Sequence, residues 1–221
     1  MGKHFNPAEI PPSPDLRFER CLWESGFLHV AGLDEAGRGA WAGPVSAGAA
    51  ILPPDVAIID RLVDVRDSKQ MTPAERAYWA EEIKNQALAW GVGFASSQEI
   101  DQMGIVPATR LAMVRALEHL PIAPQHLLID ALRLPDIPLP QTPLIKGDAR
   151  SVSIAAASVL AKTARDAWMV QASDQYPDYG FSRHKGYGTV VHQAALRLLG
   201  PCPIHRFCFE PVKNINSAQE V

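Results

Sequence analysis

The order of strand-like and helix-like segments is the feature that most constrains this chain. Apolar stretches of strand length come first as a cluster, and later ones alternate with segments of helical periodicity. The strand-like stretches span residues 28–34, 45–52, 89–95, 126–130 and 144–146. This order favours an α/β domain in which a mixed sheet is flanked by helices.

Capping residues mark where several of the helices begin. Thr72, Pro73 and Glu75 form a capping box with proline in the first turn, which predicts a helix from this point to about residue 88. Ser96 and Glu99 repeat the capping pattern after the third strand. Further helices are expected from Pro107, over residues 151–175, and over residues 189–199.

Four acidic residues fall where apolar segments meet loops. Each ends or follows a predicted strand: Asp34, Glu35, Asp130 and Asp148. Because ligands of open α/β sheets collect outside the strand ends, we expect these carboxylates to converge. Carboxylates without histidine or cysteine favour hard ions such as Mg²⁺ or Mn²⁺, and paired ions of this kind hydrolyse phosphodiesters. The alternative, that these acids are caps or solvated loop residues, stays open at this point.

A glycine-rich loop, Gly37-Arg38-Gly39, follows the first two acids directly. Glycines allow backbone amides to approach a ligand closely, and successive amides bind anions or hydroxyl groups. With Ala42 the segment also matches the dinucleotide-binding pattern G-x-G-x-x-A. That pattern requires a helix next, whereas residues 45–52 are strand-like, so a dinucleotide site is disfavoured.

Other positions suggest contacts to phosphate. Lys69 precedes the capped helix, and Ser151 and Ser153 begin the long helix beside Asp148. A solvated lysine and ordinary N-caps are the alternatives. Residues 183–187, Arg-His-Lys-Gly-Tyr, combine basic side chains with an aromatic ring, a composition typical of segments that hold a nucleic-acid backbone.

Charge is distributed unevenly along the 221 residues. The net charge is −3, and hydrophobic residues make up 47% of the chain, enough for a substantial core. Residues 1–144 hold 12 Lys+Arg and 18 Asp+Glu, whereas residues 145–221 hold 9 and 6. The basic last third is a modest indication of a polyanionic partner.

Composition also bears on compartment and domain boundaries. No apolar run reaches the about 20 residues of a membrane span, and the N-terminus lacks the apolar region of a signal peptide, so we expect a cytoplasmic protein without membrane contact. Cys202, His205 and Cys208 are spaced like a metal knuckle, but no second pair completes a zinc site.

Residues 1–16 are proline-rich and are expected to form a flexible leader. Residues 17–221 are expected to form one domain with a helical C-terminal portion from about residue 176.

A set of motifs in a defined order resembles the ribonuclease HII family, the bacterial type 2 ribonucleases H. The resemblance extends from about residue 28 to residue 212. The motifs are GLDEAGRG at 32–39, DSK at 67–69, LID at 128–130, KGD at 146–148, IAAAS at 154–158, AKTARD at 161–166, HKGYGT at 184–189, HR at 205–206 and PV at 211–212. Each motif is weak alone, whereas the ordered set is highly specific.

The resemblance implies a ribonuclease H-like fold, with a five-stranded mixed sheet flanked by helices and a helical C-terminal portion. It implies an endonuclease that hydrolyses the RNA strand of RNA/DNA hybrids and incises 5′ of ribonucleotides embedded in duplex DNA, leaving 3′-hydroxyl and 5′-phosphate ends. It further implies two Mn²⁺ or Mg²⁺ ions during catalysis and a monomeric protein. Another metal-dependent nuclease of this fold, or a non-catalytic hybrid-binding module, are the alternatives.

Roles follow from the resemblance residue by residue. The implied catalytic and metal-binding acids are Asp34, Glu35, Asp130 and Asp148. The loop implied to sense the ribose 2′-hydroxyl consists of Gly37, Arg38 and Gly39, and Tyr187 is implied to pack on the sugar after the ribonucleotide. The implied phosphate contacts are Lys69, Ser151 and Lys185.

Two positions depart from the family pattern. Ala131 follows the third acid, where family members usually have glycine, and its methyl group adds bulk beside the site. Residues 205–209 read His-Arg-Phe-Cys-Phe, where the family usually has His-Arg, a basic or polar residue, and Ser-Phe. The second departure leaves open whether this segment binds substrate, but it does not touch the four acids.

Overall fold

A five-stranded mixed sheet with helices on both faces forms the centre of the molecule, in a computed structural model that describes residues 10–219. The strands are β1 Val30–Ala36, β2 Val45–Ile51, β3 Ala89–Ala95, β4 His126–Asp130 and β5 Gln141–Leu144. The helices are α1 Arg17–Glu24, α2 Ile58–Arg61, α3 Pro73–Gln86, α4 Ser97–Met103, α5 Ile105–Glu118, α6 Val152–Gln175, α7 Phe181–His184, α8 Val190–Leu199 and α9 Val212–Gln219.

The strand order across the sheet is β3-β2-β1-β4-β5. β2 pairs antiparallel with both β1 and β3, whereas β4 pairs parallel with β1 and β5 pairs parallel with β4. The sheet is therefore mixed, and α7, α8 and α9 form the helical C-terminal region. This arrangement confirms the predicted fold class.

Small residues allow helix α6 to lie directly on the sheet. A Cβ atom at Gly32 would overlap the backbone of Ser153, and one at Gly48 would overlap the carbonyl of Ala157. The alanine-rich face of α6 therefore approaches β1 and β2 as closely as backbone atoms permit. Helix α5 covers the opposite face in the same manner through its own alanines, packed on β2 and β3.

Local signals located most elements to within a few residues. Thr72 and Ser96 both form the expected capping boxes, with Glu75 and Glu99 as their partners. The fifth strand was placed wrongly, since it spans residues 141–144 rather than 144–146. It contains Pro143, which is tolerated because β5 is an edge strand.

The N-terminal boundary also differs from the expectation. Residues 1–9 of the expected leader lie outside the described residues. Asp15 forms a bridge with Ser151, and its backbone exchanges hydrogen bonds with residues 150 and 152. Leu16 is buried in the core under α6, so the packed structure begins before residue 17. Within residues 10–219, no helix is long and apolar enough to cross a bilayer.

Candidate active site

Strand register brings two of the four acids side by side. Gly32 and Leu128 are partners in the parallel β1–β4 pair, and both face α6, where Leu128 packs with Ile154. Because side chains two positions apart lie on the same face of a strand, Asp34 and Asp130 also face α6. The two carboxylates thus lie next to each other at the carboxyl end of the parallel strands.

The remaining acids join them from the ends of neighbouring segments. Glu35 follows Asp34 in β1, and Asp148 lies on a single 3₁₀ turn, Gly147–Ala149, between β5 and α6. One oxygen each from Asp34, Glu35 and Asp130 lie within 4.8 Å of one another. Asp148 is outside that group of three. Burial is the main cause of the raised pKa of both Asp34 and Asp148, but the Asp148 carboxylate also contributes to the raised pKa of Asp34, and the Asp130 carboxylate contributes to the raised pKa of Asp148.

Hydrogen bonds orient these carboxylates but do not engage all of their oxygen atoms. The amide of Glu35 donates to Asp34 Oδ1 at 2.8 Å, and the amide of Gly147 donates to Asp130 Oδ1 at 2.7 Å. Arg38 Nη1 lies 3.4 Å from Glu35 Oε1. Among the residues that the structure describes, Asp34 Oδ2 and Glu35 Oε2 are buried and have no hydrogen-bond partner. Two buried oxygens without a donor need a cation or a proton.

The pKa values of the four acids also indicate that the cluster needs a cation or a proton. Burial, reinforced by Glu35 and Asp130, raises the pKa of Asp34 well above its usual range. Burial also raises the pKa of Glu35 and Asp130, and it raises the pKa of Asp148 to about 6, with Asp130 adding to the effect. Clustered carboxylates that resist ionisation together are stabilised by a divalent cation, and oxygen-only ligands suit a hard one. The residues present therefore fit a Mg²⁺ or Mn²⁺ site.

Lys69 lies at the rim of this cluster. Its Nζ atom is 4.0 Å from Asp148 Oδ2 and 3.9 Å from Asp67 Oδ1, and the side chain is largely exposed. Partial burial opposes its charge, but the surrounding carboxylates outweigh that effect and raise the pKa of Lys69. A protonated lysine therefore lies at the mouth of the acidic site.

The glycine loop begins directly above a buried arginine. Gly37 has a φ of +91°, and a Cβ atom there would overlap the guanidinium of Arg165. A Cβ atom at Gly39 would meet nothing within 4 Å. Arg206, fully buried, donates to the carbonyl of Arg38 at 2.8 Å and to that of Gly43 at 3.0 Å. The two buried arginines thus contact the glycine loop on its inner side, and the space beside Gly39 is open.

Tyr187 belongs to a second loop, residues 185–189 between α7 and α8, which we call the tyrosine loop and which is adjacent to the glycine loop. The amide of Trp41 donates to the carbonyl of Gly186 at 2.8 Å, which joins the two loops. The half-buried ring of Tyr187 has Arg165 Cζ 5.3 Å and Lys162 Nζ 5.4 Å from its centroid. Lys185 lies in the same loop with φ +53°, and its ammonium group donates to the carbonyl of Ser182.

Ser151 does not fit the phosphate contact predicted for it. It is fully buried, its hydroxyl donates to Glu19 Oε1 at 2.6 Å, and it accepts from the amide of Ile154 as the N-cap of α6. The acceptor Glu19 lies in α1, so Ser151 joins the N-terminal helix to α6. A side chain without solvent exposure cannot reach a nucleic-acid backbone.

The structure shows the backbone conformation or the burial of residues at both positions that depart from the family pattern. Ala131 has a φ of +53°, the left-handed region that favours glycine, and its amide donates to Leu144. His205 and Arg206 are fully buried, so they act inside the molecule. Within the described part of the chain, the residues that group as candidate metal ligands include neither His205 nor Cys208.

The residues that sequence reasoning missed are the buried arginines. Arg165 and Arg206 lie within the motifs that carry the resemblance, but nothing in their local sequence assigns them a role. Arginine is rarely fully buried, so burial is the informative observation, and it is visible only in the tertiary structure.

Comparison with known proteins places this fold and site in a class. The crystal structure of the ribonuclease H2 from Pyrococcus horikoshii OT3 superposes with a TM-score of 0.70 at 27% identity, over 86% of this chain and 98% of that one. The fold is therefore that of a ribonuclease H2-like enzyme. The model of the ribonuclease HII family matches residues 31–212, and the chain belongs to that family.

Curated relatives support the same assignment over nearly the whole chain. A ribonuclease HII of Chloroflexus aurantiacus is 52% identical over 200 residues, which are 90% of this chain and 94% of the relative. A ribonuclease HII of Dehalococcoides mccartyi is 50% identical over 209 residues, which are 95% and 98% of the two chains. The chain is thus an endoribonuclease of the ribonuclease H type, a family that is metal-dependent and acts on RNA/DNA hybrids.

Proposed function

We propose that this enzyme hydrolyses the RNA strand of RNA/DNA hybrids and also incises 5′ of single ribonucleotides embedded in duplex DNA. The products carry 3′-hydroxyl and 5′-phosphate ends, and such incision begins the removal of ribonucleotides from DNA. The observation that carries the proposal is the position of the carboxylate cluster beside a glycine loop that is open above Gly39. A nucleotide held in that opening has its phosphate near the acids.

The four acids would hold the ions during the reaction. Asp34 and Glu35 each offer a buried oxygen without a partner, and Asp130 and Asp148 complete an all-carboxylate set. When bound by these residues, two Mg²⁺ or Mn²⁺ ions would supply the activation of a water for in-line attack and the stabilisation of the departing 3′ oxygen. Glu35 is held by Arg38, so the loop that contacts the ribose also orients one metal-binding carboxylate.

Substrate selection rests on the ribose, not on the base. The 2′-hydroxyl is the only chemical difference between a ribonucleotide and its DNA neighbours. Backbone amides of Gly37 and Gly39 and the guanidinium of Arg38 can bind a hydroxyl group without reading the base. Tyr187 packs on the sugar of the following nucleotide, and Lys69 and Lys185 hold flanking phosphates. We therefore expect little dependence on base sequence.

The decisive assay uses a duplex DNA containing one ribonucleotide, incubated with Mg²⁺ or Mn²⁺ and analysed at nucleotide resolution. The full-length protein should cut once, 5′ of the ribonucleotide, and should leave the all-DNA duplex intact. Cutting of other nucleic acids without cutting this duplex would favour another metal nuclease of the same fold.

A matched pair of variants tests the role of the acids. Asp34→Asn keeps the size of the side chain but removes a charge, so cleavage should fall about a hundredfold or more, a barrier increase of ~2.7 kcal/mol. Asp60→Asn makes the same chemical change at an exposed site in α2 and should leave cleavage unchanged. Unchanged activity in Asp34→Asn would mean that the activity belongs to a contaminant.

A further inference from the structure

A single buried guanidinium joins the two loops that the proposed function assigns to substrate recognition. Arg165 extends from α6 and is fully buried. Its Nε donates to the carbonyl of Pro44 at 2.8 Å and its Nη2 to that of Ala42 at 3.1 Å, both in the segment that follows the glycine loop. Its Nη1 donates to the carbonyl of Lys185 at 3.0 Å, in the tyrosine loop.

The same side chain also contacts the recognition residues themselves. Gly37 lies so close that any Cβ atom there would overlap the guanidinium, and the ring of Tyr187 lies 5.3 Å from Arg165 Cζ. Arg165 therefore touches both loops at their functional positions, and it donates hydrogen bonds to the backbone of the tyrosine loop and of the segment that joins the glycine loop to β2. Lys162, one turn earlier on α6, lies with its Nζ 5.4 Å from the centroid of the same ring but bonds to Asp166.

The chemistry of Arg165 is not that of a simple core residue. Burial lowers the pKa of its guanidinium, and its three hydrogen bonds all go to neutral carbonyls. A buried cation is costly to keep, and an apolar side chain of similar volume would pack a core at lower cost. What arginine adds is a planar fork that fixes several acceptors at set distances and directions. Here those acceptors lie in the tyrosine loop and in the segment that joins the glycine loop to β2.

We propose that Arg165 is a positioning residue that sets the distance between the glycine loop, Gly37–Gly39, and the ring of Tyr187, and thereby the preference for cutting at an RNA–DNA junction. The inference rests on the proposed function, in which the loop contacts the ribonucleotide and Tyr187 contacts the sugar that follows. A nucleotide step has a fixed length, so both contacts form at once only if the two loops keep their separation. Arg165 does not touch the reacting phosphate in this scheme.

The test uses one duplex in which several consecutive ribonucleotides are followed by DNA on the same strand. The measured quantity is the fraction of all cuts that fall at the RNA–DNA junction. This fraction is independent of how much enzyme is folded, so it separates positioning from stability. In the parent enzyme most cuts should fall at the junction. In Arg165→Met the ratio of junction cuts to internal cuts should drop about tenfold, which equals ~1.4 kcal/mol.

Two further variants keep the result interpretable. Arg115→Met removes an arginine of α5 that pairs with Glu99 and bonds to Phe94, so it destabilises the fold away from both loops and should leave the cut distribution unchanged. Arg165→Lys keeps the charge but loses the fork, and it should shift the distribution in the same direction by a smaller factor. It serves as the test if Arg165→Met does not fold.

The outcomes separate this inference from the function on which it rests. If the parent enzyme cuts neither the junction nor a single embedded ribonucleotide, the proposed function fails. If the parent prefers the junction and the Arg165 variants keep the parental distribution while retaining activity, the positioning role is refuted and the proposed function stands.

Discussion

Two buried histidines in the C-terminal region should make folding stability depend on pH in a calculable manner. The carbonyl of Tyr187 can only accept, so we assign a proton to His192 Nδ1, which leaves His192 Nε2 to accept from His205 Nε2 and His205 Nδ1 to accept from the amide of Cys202 at 2.9 Å. His205 Nε2 lies 3.0 Å from His192 Nε2, and His192 Nδ1 lies 3.0 Å from the carbonyl of Tyr187. These bonds form one directed chain in which both rings are neutral. Burial lowers the pKa of each histidine to about 4.

The magnitude follows from the difference between folded and unfolded states. The unfolded histidines titrate near 6.5, so between pH 6.5 and pH 4 the unfolded chain binds protons that the folded chain does not. The free energy of unfolding therefore falls as pH falls through this window and levels off below about 4. Each histidine contributes a slope of about 1.4 kcal/mol per pH unit, and roughly 3 kcal/mol across the window.

The assay is urea unfolding followed by circular dichroism at a series of pH values, in the presence of a chelator. His205→Gln retains a side-chain N–H donor but removes one titrating group, so the slope between pH 6 and pH 5 should be smaller by about 1.4 kcal/mol per pH unit. The buried acids of the active site, whose pKa values are raised, give a slope of opposite sign. They are present in both proteins and cancel in the difference.

A control variant isolates the effect of burial. His119→Gln changes an exposed histidine and should keep the slope of the parent enzyme. Equal slopes for His205→Gln and the parent would show that His205 does not remain neutral in the fold. That result would refute the directed hydrogen-bond chain.

Four further substitutions are predicted to separate structural from functional residues. Gly37→Ala should lower the free energy of unfolding by more than about 2 kcal/mol, because the methyl group overlaps Arg165. Gly39→Ala should leave thermal melting unchanged, and it should weaken the binding of an RNA/DNA hybrid in a fluorescence-anisotropy titration. Ser151→Ala should cost about 1–3 kcal/mol in urea unfolding, since it removes a helix cap and a donor to a buried carboxylate, and should leave hybrid affinity unchanged. Ala131→Gly should raise the unfolding free energy by up to about 1 kcal/mol in the same assay, because it relieves a left-handed backbone; a loss of stability would contradict that reasoning.

Local sequence information located most of the elements that carry the site. The capping boxes at Thr72 and Ser96 depend on residues three positions apart, so they can be recognised without knowledge of the fold. The third strand, residues 89–95, matches its prediction at both ends. The fifth strand was missed by several residues because Pro143 is usually excluded from strands, and only its edge position permits it.

The misassigned serine shows where local information ends. Ser151 was correctly predicted near the start of α6, but its hydroxyl bonds to Glu19, which is 132 residues away in sequence. No pattern around either residue indicates that contact. The same limit applies to Arg165 and Arg206, which donate to backbone carbonyls. Every one of these acceptors except Lys185 is more than a hundred residues away in sequence. Carbonyl acceptors leave no signal in the sequence, since every residue has one.

By itself, the sequence determined the α/β class, the four strand-end acids and the order of motifs that resembles one family. These follow from periodicity, capping and residue type, which act over a few residues. The tertiary structure decided which acids share one face, through the register of β1 against β4, and which polar side chains are buried. Register and burial depend on the packing of α6 against the whole sheet, so they are properties of long-range contacts that no short segment encodes.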